Sequence, residues 1–213
     1  MDPLEISRDA TQDSSQQARA EPGTLLQMAR RLDWRFLLQD SALDNVAYVG
    51  EADGSLLAAL RVFAKAVDVL DSATLSGRTP HGRYDGIVLE GPSRAEFRPA
   101  RRLLRPSGHL YAEVDRRRTR REGGRPGRPG LFGAAAGAAG FGDVRLHWHW
   151  RTFDTCTRII PLDDPTAFGY LAAAGALGAA ARARAALGRG LLQAGALGWA
   201  VSCFSVVGRN AAD

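Results

Sequence analysis

Between residues 45 and 71 a strand, a glycine-bounded turn, a helix, a second strand and an acid follow in that order, and nothing else constrains the fold as strongly. Asn45 leads into Val46-Ala-Tyr-Val49, a compact apolar run closed by Gly50, as a strand buried on both faces requires. Gly50-Glu-Ala-Asp-Gly54 must turn the chain sharply, and the LLAALRVFA segment after it has helical periodicity. Ala66-Val-Asp-Val-Leu70 reads as the second strand and ends on Asp71. Small residues in the turn let a ligand approach the main chain and the helix N-terminus. An acid at the end of the second strand suits the two hydroxyls of a ribose.

The alternation continues downstream. Tyr84-Asp-Gly-Ile-Val-Leu-Glu90 predicts a third strand, residues 97–104 a short helix, Arg105-Pro-Ser-Gly108 a turn, and residues 109–114 a fourth strand. Strands and helices joined by short loops predict an α/β fold with a parallel sheet. Ligands in such sheets sit at the carboxyl ends of the strands, where the Gly50 turn, Asp71 and Glu90 would converge. Later come a small-residue helix in LFGAAAGAAG, a strand over residues 143–150, another over 156–160, and a closing strand over 199–207. Residues 171–200 hold 13 alanines and 6 glycines, and alanine favours a helix there.

The matching stretches resemble the class I S-adenosylmethionine-dependent methyltransferases. That family opens its cofactor turn with an acid, one residue and three alternate glycines, and Tyr48-Val-Gly50-Glu-Ala52-Asp-Gly54 stands at that place. Asp71 falls where the family puts its ribose-binding acid. Residues 84–90 resemble the family's fourth strand, and Leu103-Leu-Arg-Pro-Ser-Gly108-His-Leu-Tyr resembles the proline-glycine turn into its fifth. The chain departs from the pattern in that Tyr48 replaces the first acid and Ala52 the middle glycine. Only 13 residues separate Asp71 from Asp85, too few for the usual helix, strand and helix, so one strand with its helices is deleted where the family builds its adenine wall.

The resemblance implies a Rossmann-like, mostly parallel sheet with helices on both faces, shortened in the middle, and an Ala/Gly-rich helical insertion (residues 165–197) before the last strand. It also implies S-adenosylmethionine as cofactor, held by Gly50, Glu51, Ala52, Gly54, Asp71 and Ser72, with methyl transfer to a small-molecule or glycan-like acceptor. Glu90 is the acid placed to serve as general base where the acceptor must lose a proton. The alternative is a catalytically inactive methyltransferase-like protein that binds a protein partner through the 165–197 segment.

Composition bounds the rest. The 213 residues allow one ordinary domain, expected over residues 24–213, behind a polar tail (residues 1–23) that lacks aromatic residues and reads as disordered. The net charge is +5, and residues 115–128 alone carry seven arginines against Asp115 and Glu122, so the remainder is neutral. With glycines and prolines beside them, these arginines predict a flexible basic loop over 115–130. No aromatic residue interleaves to stack bases, which disfavours nucleic acid as a partner. Gly190 opens 18 residues without a charge, but Gln193, three glycines and a strand-like ending favour a buried helix followed by an edge strand over a membrane contact. His147 and His149 share one strand face with no third ligand nearby, so no metal site is expected. Cys156 and Cys203 lie on two late strands that could pair, and read as buried, reduced thiols. The N-terminus is no secretory signal, and the expected compartment is the cytoplasm.

Overall fold

The computed structural model describes residues 22–77, 81–123, 127–173, 179–194 and 196–211; most of the expected tail therefore lies outside the described residues. Helix α1 (Pro22–Arg31) and a 3-10 turn (Asp33–Leu37) precede β1 (Asn45–Val49). Then come α2 (Ser55–Phe63), β2 (Ala66–Val69), α3 (Ser72–Ser76), β3 (Tyr84–Glu90), α4 (Phe97–Leu103) and β4 (Leu104–Asp115). The second half runs α5 (Arg116–Arg121), α6 (Pro129–Ala138), β5 (Phe141–His149), β6 (Ile159–Pro161), α7 (Pro165–Ala173), α8 (Ala179–Gln193), α9 (Leu197–Ala200) and β7 (Cys203–Asn210).

The seven strands form one sheet in the order β2-β1-β3-β4-β7-β5-β6. The first four are mutually parallel, and β7, β5 and β6 extend the sheet antiparallel. Only α3 stands among the described residues between β2 and β3, so β2 is the sheet's edge, as the short spacing after Asp71 requires.

Side chains alternate across the pleat and split the core in two. Val46, Tyr48, Val88, Tyr111 and Val207 face α2, the 3-10 turn and the end of α1. Ala47, Val49, Ile87, Leu89, Ala112 and Phe204 face α4, α6 and the C-terminal helices. Helix α2 buries Leu56, Leu57, Ala59 and Leu60, the one-sided spacing of an amphipathic helix.

The Arg105-Pro-Ser-Gly108 segment lies inside β4 as an irregularity. Tyr84 pairs with Leu104 and Gly86 with His109, so β4 carries three extra residues there. A Cβ on Gly108 would stand 3.0–3.1 Å from Arg105, Leu104 and Asp85 atoms, which is why the segment needs glycine.

Several boundaries differ from the sequence expectation. Arg116–Arg121, expected within a flexible loop, form a helix because Asp115 caps it, accepting the Arg117 and Arg118 amides. Arg116 turns inward and donates to the carbonyls of Gly198, Trp199 and Val201. The last strand begins at Cys203 and not Trp199, and it lies between β4 and β5, so it is not an edge. Cys156 precedes β6 in a loop, and β5 separates β6 from Cys203 on β7, so the two thiols are not strand neighbours. Among the described residues no helix is long and apolar enough to cross a membrane.

Candidate functional site

The parallel strands β1, β3 and β4 end on the same side of the sheet, and an open cleft of about 510 Å3 lies over those ends. Its wall takes Glu51, Asp53 and Gly54 from the turn after β1, Glu90 from the end of β3, and Glu113 and Asp115 from β4. Glu122 and Asp154 bring the carboxylates to seven, against the guanidiniums of Arg31 and Arg118. Such an enclosure favours a cationic ligand.

Beneath the turn, Tyr48 donates its hydroxyl to the Glu90 carboxylate, and that hydroxyl also lies 3.1 Å from the Glu51 carbonyl. Burial, reinforced by the hydrogen bond to Glu90, holds the phenol well above its usual range, so Tyr48 stays protonated. A Cβ on Gly50 would stand 2.5 Å from the Tyr48 hydroxyl and 2.7 Å from the Glu90 Cβ. The turn therefore needs glycine at that position for the chain's own packing.

Arg118 spans the cleft from α5. It pairs with Glu51, approaches Glu90 Oε1 at 3.6 Å and bonds Glu122 at 2.9 Å. Its contact with Glu122, followed by the Glu51 charge, raises its already high pKa.

On the other wall Arg31 grips Glu113 through both oxygens at 2.5 and 2.6 Å, and Tyr111 donates to the same carboxylate at 2.7 Å. Arg31 and Glu113 are almost fully buried, with side chains 7% and 1% exposed. Burial pushes the Glu113 carboxyl up, and Arg31 opposes that shift. Arg31 Nε reaches out to Ser55 Oγ and Asp154 Oδ1, both at 3.3 Å. The pair thus ties α1 to the sheet, and Arg31 also reaches the start of α2 and the loop after β5.

Of the residues expected from sequence, Glu51, Gly54 and Glu90 line this cleft together. Gly50 packs beside it on Tyr48 and Glu90. Ala52, Asp71 and Ser72 are not in its wall. Asp71 stands exposed beyond β2 as the N-cap of α3, accepting the Thr74 amide at 2.6 Å, and hydrogen bonds from Thr74 lower its pKa. Ser72 donates to Glu96 Oε1 at 2.6 Å. The sequence reading missed Tyr48 as Glu90's partner, and it missed Arg31, Glu113 and Arg118. A signal existed for one of them: an acid alternating with Tyr111 inside an otherwise apolar strand requires a partner.

His147 and His149 are both buried on their strand face, and His149 Nε2 lies 2.9 Å from Ser205 Oγ. No group of three metal-ligating side chains occurs among the described residues.

No protein-family model matches the chain, and no curated protein matches its sequence. Its structure is similar to solved ones. A SAM-dependent methyltransferase from Archaeoglobus fulgidus superposes with a TM-score of 0.53 at 12% identity, over 87% of this chain and 94% of that one. Phosphoethanolamine N-methyltransferase 2 of Haemonchus contortus, solved in complex with S-adenosyl-L-methionine, superposes with a TM-score of 0.51 at 10% identity, over 89% of this chain and 53% of that one. Parallel β1, β3 and β4, the antiparallel β7 and β5 beside them, and these superpositions agree: the chain has the fold of the class I S-adenosylmethionine-dependent methyltransferases.

Proposed function

We propose that this chain transfers a methyl group from S-adenosylmethionine to a small-molecule acceptor in the cleft above β1, β3 and β4. The observation that carries the reading is the seven-carboxylate lining of that cleft, at the strand ends where this class of fold binds its ligands. S-adenosylmethionine supplies an electrophilic methyl group on a positively charged sulfur, so a site for it needs negative charge, orientation and exclusion of water.

The residues present fit the charged end of that group. Glu51, Asp53 and Glu90 provide the counter-charge, and Gly54 lets backbone come close. The ribose falls to Asp71 and Ser72 beyond β2. There the ligand would share the Asp71 carboxylate with the cap of α3. Glu90 acts as the base: its Oε2 holds the Tyr48 hydroxyl, and its Oε1, facing Arg118, takes the acceptor's proton. Arg118 stands beside that carboxylate and closes the cleft from α5.

A second reading, an inactive methyltransferase-like protein that docks a partner through the helical segment 165–197, has one observation in its favour. The inner face of the turn is already filled by Tyr48 and Glu90, which account for Gly50 without any ligand.

Calorimetric titration with S-adenosylhomocysteine, wild type beside Asp71→Ala, separates the two. Methyl transfer requires micromolar binding that the substitution weakens. No heat and no thermal stabilisation at millimolar ligand would leave only the partner reading.

A further inference from the structure

Helix α5 has two charged sides with different surroundings. Arg118 and Glu122, one turn apart, belong to the cleft, where Arg118 binds Glu51 and Glu122 and approaches Glu90. Helical spacing puts Arg117, Arg120 and Arg121 on the side away from it, and all three are exposed. Arg116 lies beside them, buried against the carbonyls of Gly198, Trp199 and Val201, which fixes this arginine face next to α9. Arg128, the N-cap of α6, comes to the same place: its guanidinium stands 3.3 Å from the centre of the Trp199 ring. Burial lowers the pKa of Arg116, and the charges of Arg120 and Arg128 add to the shift, so both lie within electrostatic reach of it.

The two acids of this stretch are engaged elsewhere, since Asp115 caps α5 and Glu122 bonds Arg118. None of the Arg117, Arg120, Arg121 and Arg128 side chains forms an ion pair among the described residues. Large apolar side chains border the same patch. Trp199 is 58% exposed, and Leu131, one turn after Arg128, is 48% exposed. A Cβ on Gly198 would stand 3.4 Å from Pro129 Cδ, so α6 and α9 meet in one packed corner from which both residues rise.

Unpaired guanidiniums require an anion, and Trp199 and Leu131 require an apolar phase beside it. A nucleic acid supplies only the first: it would use the indole as a stacking platform, and Arg128 already covers that ring. A bilayer with anionic headgroups supplies both, because arginines meet the phosphates and an indole settles at headgroup level. Among the described residues no helix is long and apolar enough to cross a membrane, and the contact is with its surface.

We propose that the corner formed by α5, α9 and the start of α6 docks this protein on an anionic lipid surface. Arg117, Arg120, Arg121 and Arg128 meet the headgroup phosphates, and Trp199 and Leu131 reach the acyl boundary. Docking leaves Arg118 with its cleft partners on the other side of α5. The inference does not depend on methyl transfer.

The test is sedimentation of the full chain with vesicles of phosphatidylcholine, alone or mixed with phosphatidylglycerol. Binding is expected to the mixed vesicles only, and to weaken at least about tenfold between about 0.1 and about 0.5 M salt. The triple variant Arg117→Gln/Arg120→Gln/Arg121→Gln is expected to weaken it at least about tenfold, with the melting temperature unchanged because the three side chains are exposed. Phospholipids brominated on their acyl chains are expected to quench the tryptophan emission of the wild type more than that of Trp199→Phe.

Equal binding to both kinds of vesicle, no binding to either, or unchanged binding by the folded triple variant overturns the proposal. So does tighter binding to a double-stranded DNA oligonucleotide than to the mixed vesicles at the same salt, which would assign the patch to nucleic acid. If the triple variant unfolds, the salt dependence and the Trp199 quenching decide.

Discussion

Acid should destabilise this fold through His147 and His149 before most carboxylates titrate. Both imidazoles are buried, 5% and 3% exposed. Burial lowers His147 to about 4, with Asp163 opposing and Arg145 adding to the shift. Burial also lowers His149 to about 3, helped by His147 and Arg31. In the unfolded chain both titrate near 6.5. Their folded values are depressed, so between pH 6.5 and about 4 the unfolded chain binds more protons, and stability falls as pH falls through that window. At pH 5 each histidine should have lost about 2 kcal/mol relative to neutral pH, and the pair about 4 kcal/mol. For a chain of this length that corresponds to a melting temperature lower by roughly 8–16 °C.

The assay is urea unfolding at pH 7.5 and pH 5.0, wild type beside the double variant His147→Leu/His149→Gln. Leucine fills the space of a ring whose Nδ1 has no partner among the described residues, and glutamine keeps a polar atom toward Ser205. Carboxylates shared by the two proteins titrate alike and cancel in the comparison. The double variant should lose about 4 kcal/mol less than wild type between the two pH values. The same pH dependence in both proteins would refute the reasoning, because it would mean that the buried histidines are protonated without cost.

Arg31→Met should cost about 3–5 kcal/mol in urea unfolding, because it leaves Glu113 buried beside Tyr111 without its cation; a loss below about 1 kcal/mol would refute the buried pair. Adding Glu113→Leu to that variant should recover most of the loss, since no uncompensated charge remains. Gly50→Ala should cost about 1–3 kcal/mol because its methyl meets the Tyr48 hydroxyl and ring. In a Tyr48→Leu background the same substitution should cost at least about 1 kcal/mol less, and an unchanged cost would mean that the turn's glycine serves something other than Tyr48.

How far the sequence carries depends on the range of the interaction that makes each feature. The parallel strands β1 and β3 were legible because strands buried on both faces are continuous apolar runs, and the edge strand β2 because its valines alternate as a strand's do; their ends stand within a residue of the expected positions. The late elements were shifted because their signals are weaker. VRLHWHW and SCFSVV mix polar and apolar residues, and β6 is only three residues long. Helix α5 was unreadable as a helix because arginine runs look solvated; what folds it is the Asp115 cap and the burial of Arg116 against three carbonyls more than 80 residues away. Glu51, Gly54 and Glu90 were legible as site residues because fold geometry alone brings strand ends together. The Arg31–Glu113 pair joins residues 82 apart and has no local signature.

The shortened middle and the tyrosine in the turn bear on the site in opposite ways. Deleting the strand beyond β2 removes wall from the outer side of the ligand shelf, so Asp71 stands in solvent and carries no burial that would sharpen its grip. Tyr48 adds material on the inner side, filling the space under the turn and fastening Glu90 to it. Both changes move the chemically equipped part of the molecule toward β3 and β4, where Glu90, Glu113, Arg31 and Arg118 converge. An enzyme built this way holds its donor mainly by charge at the sulfur end and less by the ribose. Its cofactor affinity should therefore fall more steeply with salt than that of a protein with an enclosed nucleoside site, since exposed charge contacts are screened and buried hydrogen bonds are not. If the cleft binds no donor at all, the same cluster has a structural consequence instead: Glu113 pairs with Arg31, and Glu51 and Glu90 with Arg118, so α1 and α5 are tied to the strand ends and the fold is free to serve as a scaffold.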